Sequence, residues 1–77
     1  MNNQDKIREI LKAVSQNPDV PADGDSLFDS GYLDSFALPD MVAALETEFG
    51  IKIPDSDLNP RKFESIDKIG QYIEAHR

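Results

Sequence analysis

Three stretches of the chain space their apolar residues as an α-helix does, and this spacing constrains the fold more than any other feature of the sequence. The strongest stripe is made of Leu38, Met41, Val42, Leu45 and Phe49. These residues share one sector of a helix that turns about 100° per residue. Gly50 follows, and glycine readily adopts the left-handed conformation that ends a helix. We therefore predict a helix over residues 35–49, with Ser35 as its N-cap.

Pro39 is discordant with this helix. It would occupy the fourth helical position, where its missing N–H should have bonded the Ser35 carbonyl. We expect either a loosened first turn or a regular helix that begins a residue or two later.

The first stripe of the chain consists of Ile7, Ile10, Leu11 and Val14. It predicts a helix over residues 4–16, capped by Asn2 or Asn3. Asn17-Pro18 ends this helix, because the residue before proline avoids the helical region.

The last stripe consists of Ile66, Ile69, Gly70 and Ile73. Ser65 precedes it as a predicted N-cap, and Asp67 lies in its first turn. Residues 55–62 could hold a single helical turn around Leu58, weakened by Pro60. The pattern predicts an all-α fold of three main helices and one short helix, with no strand pair.

The segment between the first two helices, residues 17–34, has no helical or strand period and contains several prolines and glycines. Loops of this length are often functional. Its second half carries the apolar residues Leu27, Phe28, Tyr32 and Leu33. We expect this half to pack against the core.

Size and residue types limit the function. A chain of 77 residues makes a single domain, 1–77, with a small core. It has no cysteine and a single histidine, His76, near its end. These counts exclude a disulfide framework, a cysteine nucleophile and a Ser-His-Asp triad. We therefore predict no catalytic residues, no metal site and no enzyme activity.

The net charge of −7 is concentrated in the middle of the chain, where residues 19–57 carry ten carboxylates against Lys52 alone. Such a surface repels nucleic acids and anionic membranes and attracts basic proteins. The acidic loop does not match a calcium-binding EF-hand: with Asp19 as the first ligand, Pro21 and Ser30 replace two required ligands. With no apolar run of membrane-spanning length, we expect a cytoplasmic protein.

One face of the helix over residues 35–49 points away from the core and consists of Phe36, Asp40, Ala43 and Thr47, flanked by Glu46. An exposed aromatic rimmed by carboxylates suggests a protein-docking surface. Alternatively, Phe36 folds back onto the long loop. Ser35 also has two interpretations: it is only a cap, or its hydroxyl carries a phosphate ester that the helix N-terminus stabilises.

Three segments carry a family resemblance. Residues 27–36 read LFDSGYLDSF, residues 46–51 read ETEFGI, and residues 63–69 read FESIDKI. In this order, over nearly the whole chain, they resemble the acyl carrier protein family.

The resemblance implies a four-helix carrier bundle, expected to be monomeric, in which Ser35 receives a 4'-phosphopantetheine arm from coenzyme A. A phosphopantetheinyl transferase would attach the arm, and Asp34 would assist, with its carboxylate helping to hold that enzyme's magnesium. A ligase or other adenylating enzyme would load an acyl or aminoacyl group as a thioester, and a transferase or synthase would use it. Partner enzymes would read the face formed by Phe36, Asp40, Ala43, Glu46 and Thr47.

Some residues depart from the fatty-acid carriers that this chain resembles. Tyr32 and Leu33 separate Gly31 from Asp34, where fatty-acid carriers usually have one residue. This spacing is more similar to D-alanyl carrier proteins and other specialised stand-alone carriers. Fatty-acid carriers also usually have leucine or methionine at the position of Phe36, an uninterrupted first turn at Pro39, and a more acidic face at Ala43 and Thr47. We therefore expect an amino acid or specialised acyl group as cargo.

A second hypothesis keeps the same fold but has no covalent modification of Ser35. The chain would be an unmodified acidic helical domain that binds a protein partner through the Phe36 and Asp40 face. It predicts that Ser35→Ala leaves partner binding unchanged while Phe36→Ala does not.

Overall fold

Three α-helices and two short 3-10 turns make up the fold in a computed structural model, which describes residues 3–76. The helices are α1 (Asn3–Ser15), α2 (Leu38–Phe49) and α3 (Ile66–His76). The 3-10 turns are Ser35–Ala37, here called the Ser35 turn, and Asp55–Asp57, here called the Asp57 turn. Within residues 3–76 there is no strand, so the predicted all-α bundle of three main helices and a short one is confirmed.

The core lies between the three helices, with α1 packed against both α2 and α3. Each helix contributes the stripe that its spacing predicts, and the intervening segments add further apolar side chains. The buried apolar residues are Ile7, Leu11, Leu27, Leu33, Leu38, Met41, Val42, Leu45, Ile51, Ile53, Phe63, Ile66, Ile69, Tyr72 and Ile73. Burial of these side chains is the main source of stability in a domain of this size.

The long loop is fastened to the rest of the molecule along its length. Arg8 on α1 forms an ion pair with Asp23. The backbone carbonyl of Asp23 accepts a hydrogen bond from the Asp67 N–H at 3.0 Å, and the Leu27 N–H donates to the Glu64 carbonyl at 2.6 Å. Leu27 is fully buried, as the apolar residues of this half predict. The loop therefore holds its far end, where α2 begins, in a fixed place.

The helix ends follow the predicted signals with small shifts. Gly50 adopts φ 64° and ψ 35°, and its N–H donates to the Glu46 carbonyl, which confirms it as the stop of α2. The Ser65 hydroxyl accepts from the Lys68 N–H at 3.2 Å, as expected of an N-cap of α3. Helix α1 begins and ends one residue before the predicted bounds, and the predicted cap Asn2 lies outside the described residues.

The predicted short turn around Leu58 is present but shifted toward the N-terminus. It spans Asp55–Asp57, and the Leu58 N–H closes it by donating to the Asp55 carbonyl at 3.1 Å. No helix of the described chain is both long enough and apolar enough to cross a membrane.

Candidate functional site

Asp34 caps the turn that opens the second helical segment, so the prediction that Ser35 is the N-cap is wrong. The Asp34 backbone is extended, and its Oδ1 accepts hydrogen bonds from the Phe36 N–H at 3.0 Å and the Ala37 N–H at 3.1 Å. Aspartate and serine are both good N-caps. Here Asp34, which comes before Ser35, reaches two N–H groups that have no other side-chain partner among the described residues. Ser35 is therefore the first residue inside the turn.

The α-helix proper begins at Leu38, three residues later than the predicted start at Ser35. The intervening residues form the Ser35 turn, in which the Leu38 N–H donates to the Ser35 carbonyl. Pro39 lies in the first turn of α2, where a missing N–H is tolerated. Of the two outcomes expected for Pro39, the later start of the helix is the correct one, but the shift is three residues and not the expected one or two.

The Ser35 side chain is exposed, and among residues 3–76 no group forms a hydrogen bond with its hydroxyl. A phosphate ester on Ser35 would find two N–H groups of this helix start already bonded. The Asp34 carboxylate already occupies the Phe36 and Ala37 N–H groups. A group attached to Ser35 would instead extend into solvent from an unobstructed hydroxyl, so a long covalent arm fits this position.

Phe36 projects outward beside Ser35. Its side chain is 87% exposed, and within the described range it is the one large hydrophobic residue with this exposure. The alternative in which Phe36 folds back onto the long loop is therefore wrong. Its position next to the exposed Ser35 side chain makes the ring a candidate contact for a partner that acts at Ser35.

The outward face of α2 lies where helical periodicity predicts it. Asp40, Ala43 and Thr47 are exposed, and the Thr47 hydroxyl donates to the Ala43 carbonyl at 3.1 Å. Glu46 is half-buried at the edge of this face, and its Oε2 accepts from the Ile53 N–H at 2.9 Å. The Glu46 carboxylate therefore fastens the segment after α2, a contact that helical periodicity alone does not reveal.

A second polar cluster surrounds the Asp57 turn. Asp57 Oδ1 accepts from Lys62 Nζ at 2.7 Å, and Asp57 Oδ2 accepts from the Tyr72 hydroxyl at 2.6 Å. The His76 ring stacks on the Tyr72 ring with 3.9 Å between centroids. Sequence reasoning missed this cluster, because its members come from three segments and no local pattern joins them.

The hydrogen bonds in this cluster shift two pKa values in opposite directions. Bonds from Lys62 and Tyr72 stabilise the ionised carboxylate and lower the pKa of Asp57. Burial, reinforced by the bond to Asp57, raises the pKa of the Tyr72 hydroxyl to about 12. Both oxygens of Asp57 are already bonded, so this carboxylate ties the Asp57 turn to Lys62 and to α3. Within residues 3–76, no three His, Cys, Asp or Glu side chains are grouped to hold a metal ion.

Comparison with known proteins matches residues 5–73 to the family model described as phosphopantetheine attachment site. The chain is 32% identical over 76 residues to a D-alanyl carrier protein of Enterococcus faecalis, covering 97% of each chain. It is 32% identical over 67 residues to a D-alanyl carrier protein of Bacillus velezensis, covering 84% of this chain and 80% of the relative. A D-alanyl carrier protein of Streptococcus pyogenes is 36% identical over 67 residues, with 87% and 78% covered.

Proposed function

This chain belongs to the phosphopantetheine attachment-site family, and on that premise we propose that Ser35 is the residue that carries the arm. As a member of the family, the protein is a carrier and not an enzyme, and its covalent cofactor is 4'-phosphopantetheine. The arm supplies a thiol that holds the substrate as a thioester. Proteins of this family work with phosphopantetheinyl transferases and with ligases or synthases.

The surroundings of the serines support Ser35 over other candidates. Four Asp-Ser pairs occur, with serines at Ser26, Ser30, Ser35 and Ser56. Ser26 Oγ accepts from the Asp29 N–H at 3.0 Å, and Ser30 Oγ lies 3.4 Å from the Leu27 carbonyl. Ser35 and Ser56 are exposed and, among the described residues, have no such bond. Of these two, Ser35 lies next to an exposed aromatic ring and precedes a long helix.

Asp34 would serve the modification in two ways. Its Oδ1 holds the turn that presents Ser35. Its Oδ2 has no hydrogen-bond partner within residues 3–76, which leaves that oxygen available to a transferase and its magnesium. The second role rests on the chemistry of carboxylates, which are preferred ligands of this ion.

The docking surface for partner enzymes would be the exposed side of the Ser35 turn and α2. Phe36 supplies an apolar anchor, and Asp40 supplies a charge that attracts basic partners. Ala43 and Thr47 continue the surface along the helix as small side chains that allow close approach. Glu46 would contribute at its edge, with its carboxylate already bonded to the Ile53 N–H.

The cargo would be an aminoacyl group, and D-alanine is the first candidate. Three relatives bear the name D-alanyl carrier protein, and the two residues between Gly31 and Asp34 agree with that resemblance. An adenylating ligase would load the amino acid and a transferase would remove it. We place this work in the cytoplasm, where coenzyme A supplies the arm, and assign it to a single carrier domain over residues 1–77.

Co-expression with a phosphopantetheinyl transferase, followed by intact-protein mass spectrometry, tests the attachment. The wild-type chain should gain the mass of one arm, and Ser35→Ala should gain nothing. Ser56→Ala is the matched control, since Ser56 is also an exposed serine after an aspartate in a 3-10 turn, and it should gain one arm. A Ser35→Ala chain that still gains an arm would refute the proposal. Adding a D-alanine ligase and ATP to the modified chain should then add one alanyl group.

A further inference from the structure

The hydrogen bonds of the Ser35 turn give Pro39 a part in presenting the serine. In a continuous α-helix, the N–H of residue 39 would donate to the carbonyl of Ser35, four residues earlier. Proline has no N–H, and its ring would crowd that carbonyl. In this structure the Ser35 carbonyl accepts from the Leu38 N–H instead, which is the three-residue spacing of a 3-10 turn.

We propose that Pro39 is a positioning residue for modification at Ser35, an inference that rests on the proposed attachment site. Pro39 excludes the α-helical bond to the Ser35 carbonyl and so holds residues 35–37 as a 3-10 turn. Asp34 completes the arrangement from the other side, because its Oδ1 accepts from the Phe36 and Ala37 N–H groups.

The packing of Leu38 turns this local difference into a displacement of Ser35. Leu38 is buried in the core, so the end of the turn next to α2 is fixed. A 3-10 turn advances about 120° and 2.0 Å per residue, against about 100° and 1.5 Å in an α-helix. Over the three steps from Ser35 to Leu38, conversion to α-helix would rotate Ser35 by about 60° and shift it by about 1.5 Å. Displacements of this size are large for a reacting group.

Pro39→Ala restores the N–H and tests the proposal, with Pro18→Ala as the control because Pro18 is an exposed proline in the long loop. In Pro39→Ala we expect a nuclear Overhauser contact between the Ser35 Hα and the new backbone N–H at position 39, and slow exchange of that N–H. The melting temperature should change by less than about 5 °C, since a new hydrogen bond offsets the lost rigidity of proline. Persistence of the 3-10 pattern in Pro39→Ala would overturn the proposal.

Kinetics with one fixed phosphopantetheinyl transferase supply the second readout. The value of kcat/KM for modification of Pro39→Ala should fall more than threefold relative to wild type, while Pro18→Ala stays within threefold. If Pro39 only stabilised the fold, Pro39→Ala would lower the melting temperature and leave kcat/KM unchanged. A kcat/KM within threefold of wild type would overturn the proposal.

A chemically synthesised chain separates the missing N–H from other properties of proline. N-methylalanine at position 39 also lacks the N–H, so it should restore both the 3-10 pattern and the wild-type kcat/KM; failure to restore them would overturn the proposal. If the wild-type chain accepts no arm at Ser35, the proposed attachment fails. The nuclear Overhauser measurement still decides whether Pro39 sets the turn.

Discussion

The two 3-10 turns have the same length and both include a serine that follows an aspartate, yet their side chains are used in opposite ways. In the Asp57 turn, Asp57 bonds Lys62 and Tyr72 and ties the turn to α3. In the Ser35 turn, the serine hydroxyl has no hydrogen-bond partner among residues 3–76, and Phe36 is 87% exposed. The side chains used internally there are the Asp34 carboxylate, which caps the turn, and Ala37, which packs against the core.

The difference shows that, in this small domain, one turn stabilises the fold while the other exposes side chains to partner molecules. The Asp57 turn contributes bonds that hold α3 and the segment after α2 together. The Ser35 turn is held by its backbone and its cap, so its outward side chains are available to other molecules. We expect changes at the Asp57 turn to alter the free energy of unfolding. Changes at the Ser35 turn should alter modification and docking.

The largest contrast is expected between two phenylalanines. Phe63, near the Asp57 turn, is fully buried and lies 4.9 Å from Tyr72 between ring centroids. Phe63→Ala should lower the free energy of unfolding by about 3–5 kcal/mol through lost burial and a cavity. Phe36→Ala should change it by less than about 0.5 kcal/mol, since the ring is already in water. Urea denaturation measures both.

Phe36→Ala should have a larger effect on the loading of the cargo than on stability. The modified Phe36→Ala chain should accept its cargo more slowly than the modified wild type. The comparison between the turns breaks down if Phe36→Ala unfolds as readily as Phe63→Ala.

The next effect concerns Tyr72 and has a pH dependence. Tyr72→Phe removes the bond to the Asp57 carboxylate and should cost about 1.5 kcal/mol, as bonds to charged groups do. The raised pKa of Tyr72, about 12 against an ordinary 10, means that the folded chain holds this proton more tightly than the unfolded chain. The stabilisation is therefore complete below about pH 10 and is lost as the pH rises toward 12.

Unfolding measured between pH 8 and pH 12 checks this sign. The difference in stability between wild type and Tyr72→Phe should shrink as the pH rises through that upper range. A constant difference would show that the Tyr72 hydroxyl does not hold the Asp57 turn. Modification at Ser35 should be the same in both chains.

The smallest of these effects is expected at Asp34. Asp34→Ala removes the cap and should cost about 1 kcal/mol, whereas Asp34→Asn keeps an oxygen that can accept the same bonds and should cost less. The rate of modification at Ser35 distinguishes the two roles of the Asp34 carboxylate, capping the turn and serving the transferase. If the charge also serves the transferase, Asp34→Asn should remain slow to modify although its stability is restored. Equal stability of the alanine and asparagine variants would show that the cap does not support the Ser35 turn.

Local patterns in the sequence predicted the helices because each stripe repeats within a few residues. The stripe from Leu38 to Phe49 and the stop at Gly50 needed no knowledge of distant segments. The assignment of the cap to Ser35 was wrong, because Asp34 and Ser35 are both suitable caps and the choice depends on the backbone path into the turn. Pro39, which the sequence marks as discordant, lies in the first turn of the later-starting α2.

The remaining differences involve contacts between residues far apart in the chain. Helical periodicity placed Glu46 beside the outward face, but its carboxylate bonds the Ile53 N–H, and that depends on where the segment after α2 runs. The bond between Asp57 and Tyr72 joins residues fifteen positions apart, and no spacing rule indicates it. The exposure of Phe36 was one of two open alternatives until the course of the long loop was known.

The most direct test of the carrier assignment is peptide mapping by tandem mass spectrometry of the chain purified from its own host. The account predicts one phosphopantetheine per molecule, located on the peptide that contains Ser35. An arm found on another residue, or a Ser35 that is never modified, would contradict it.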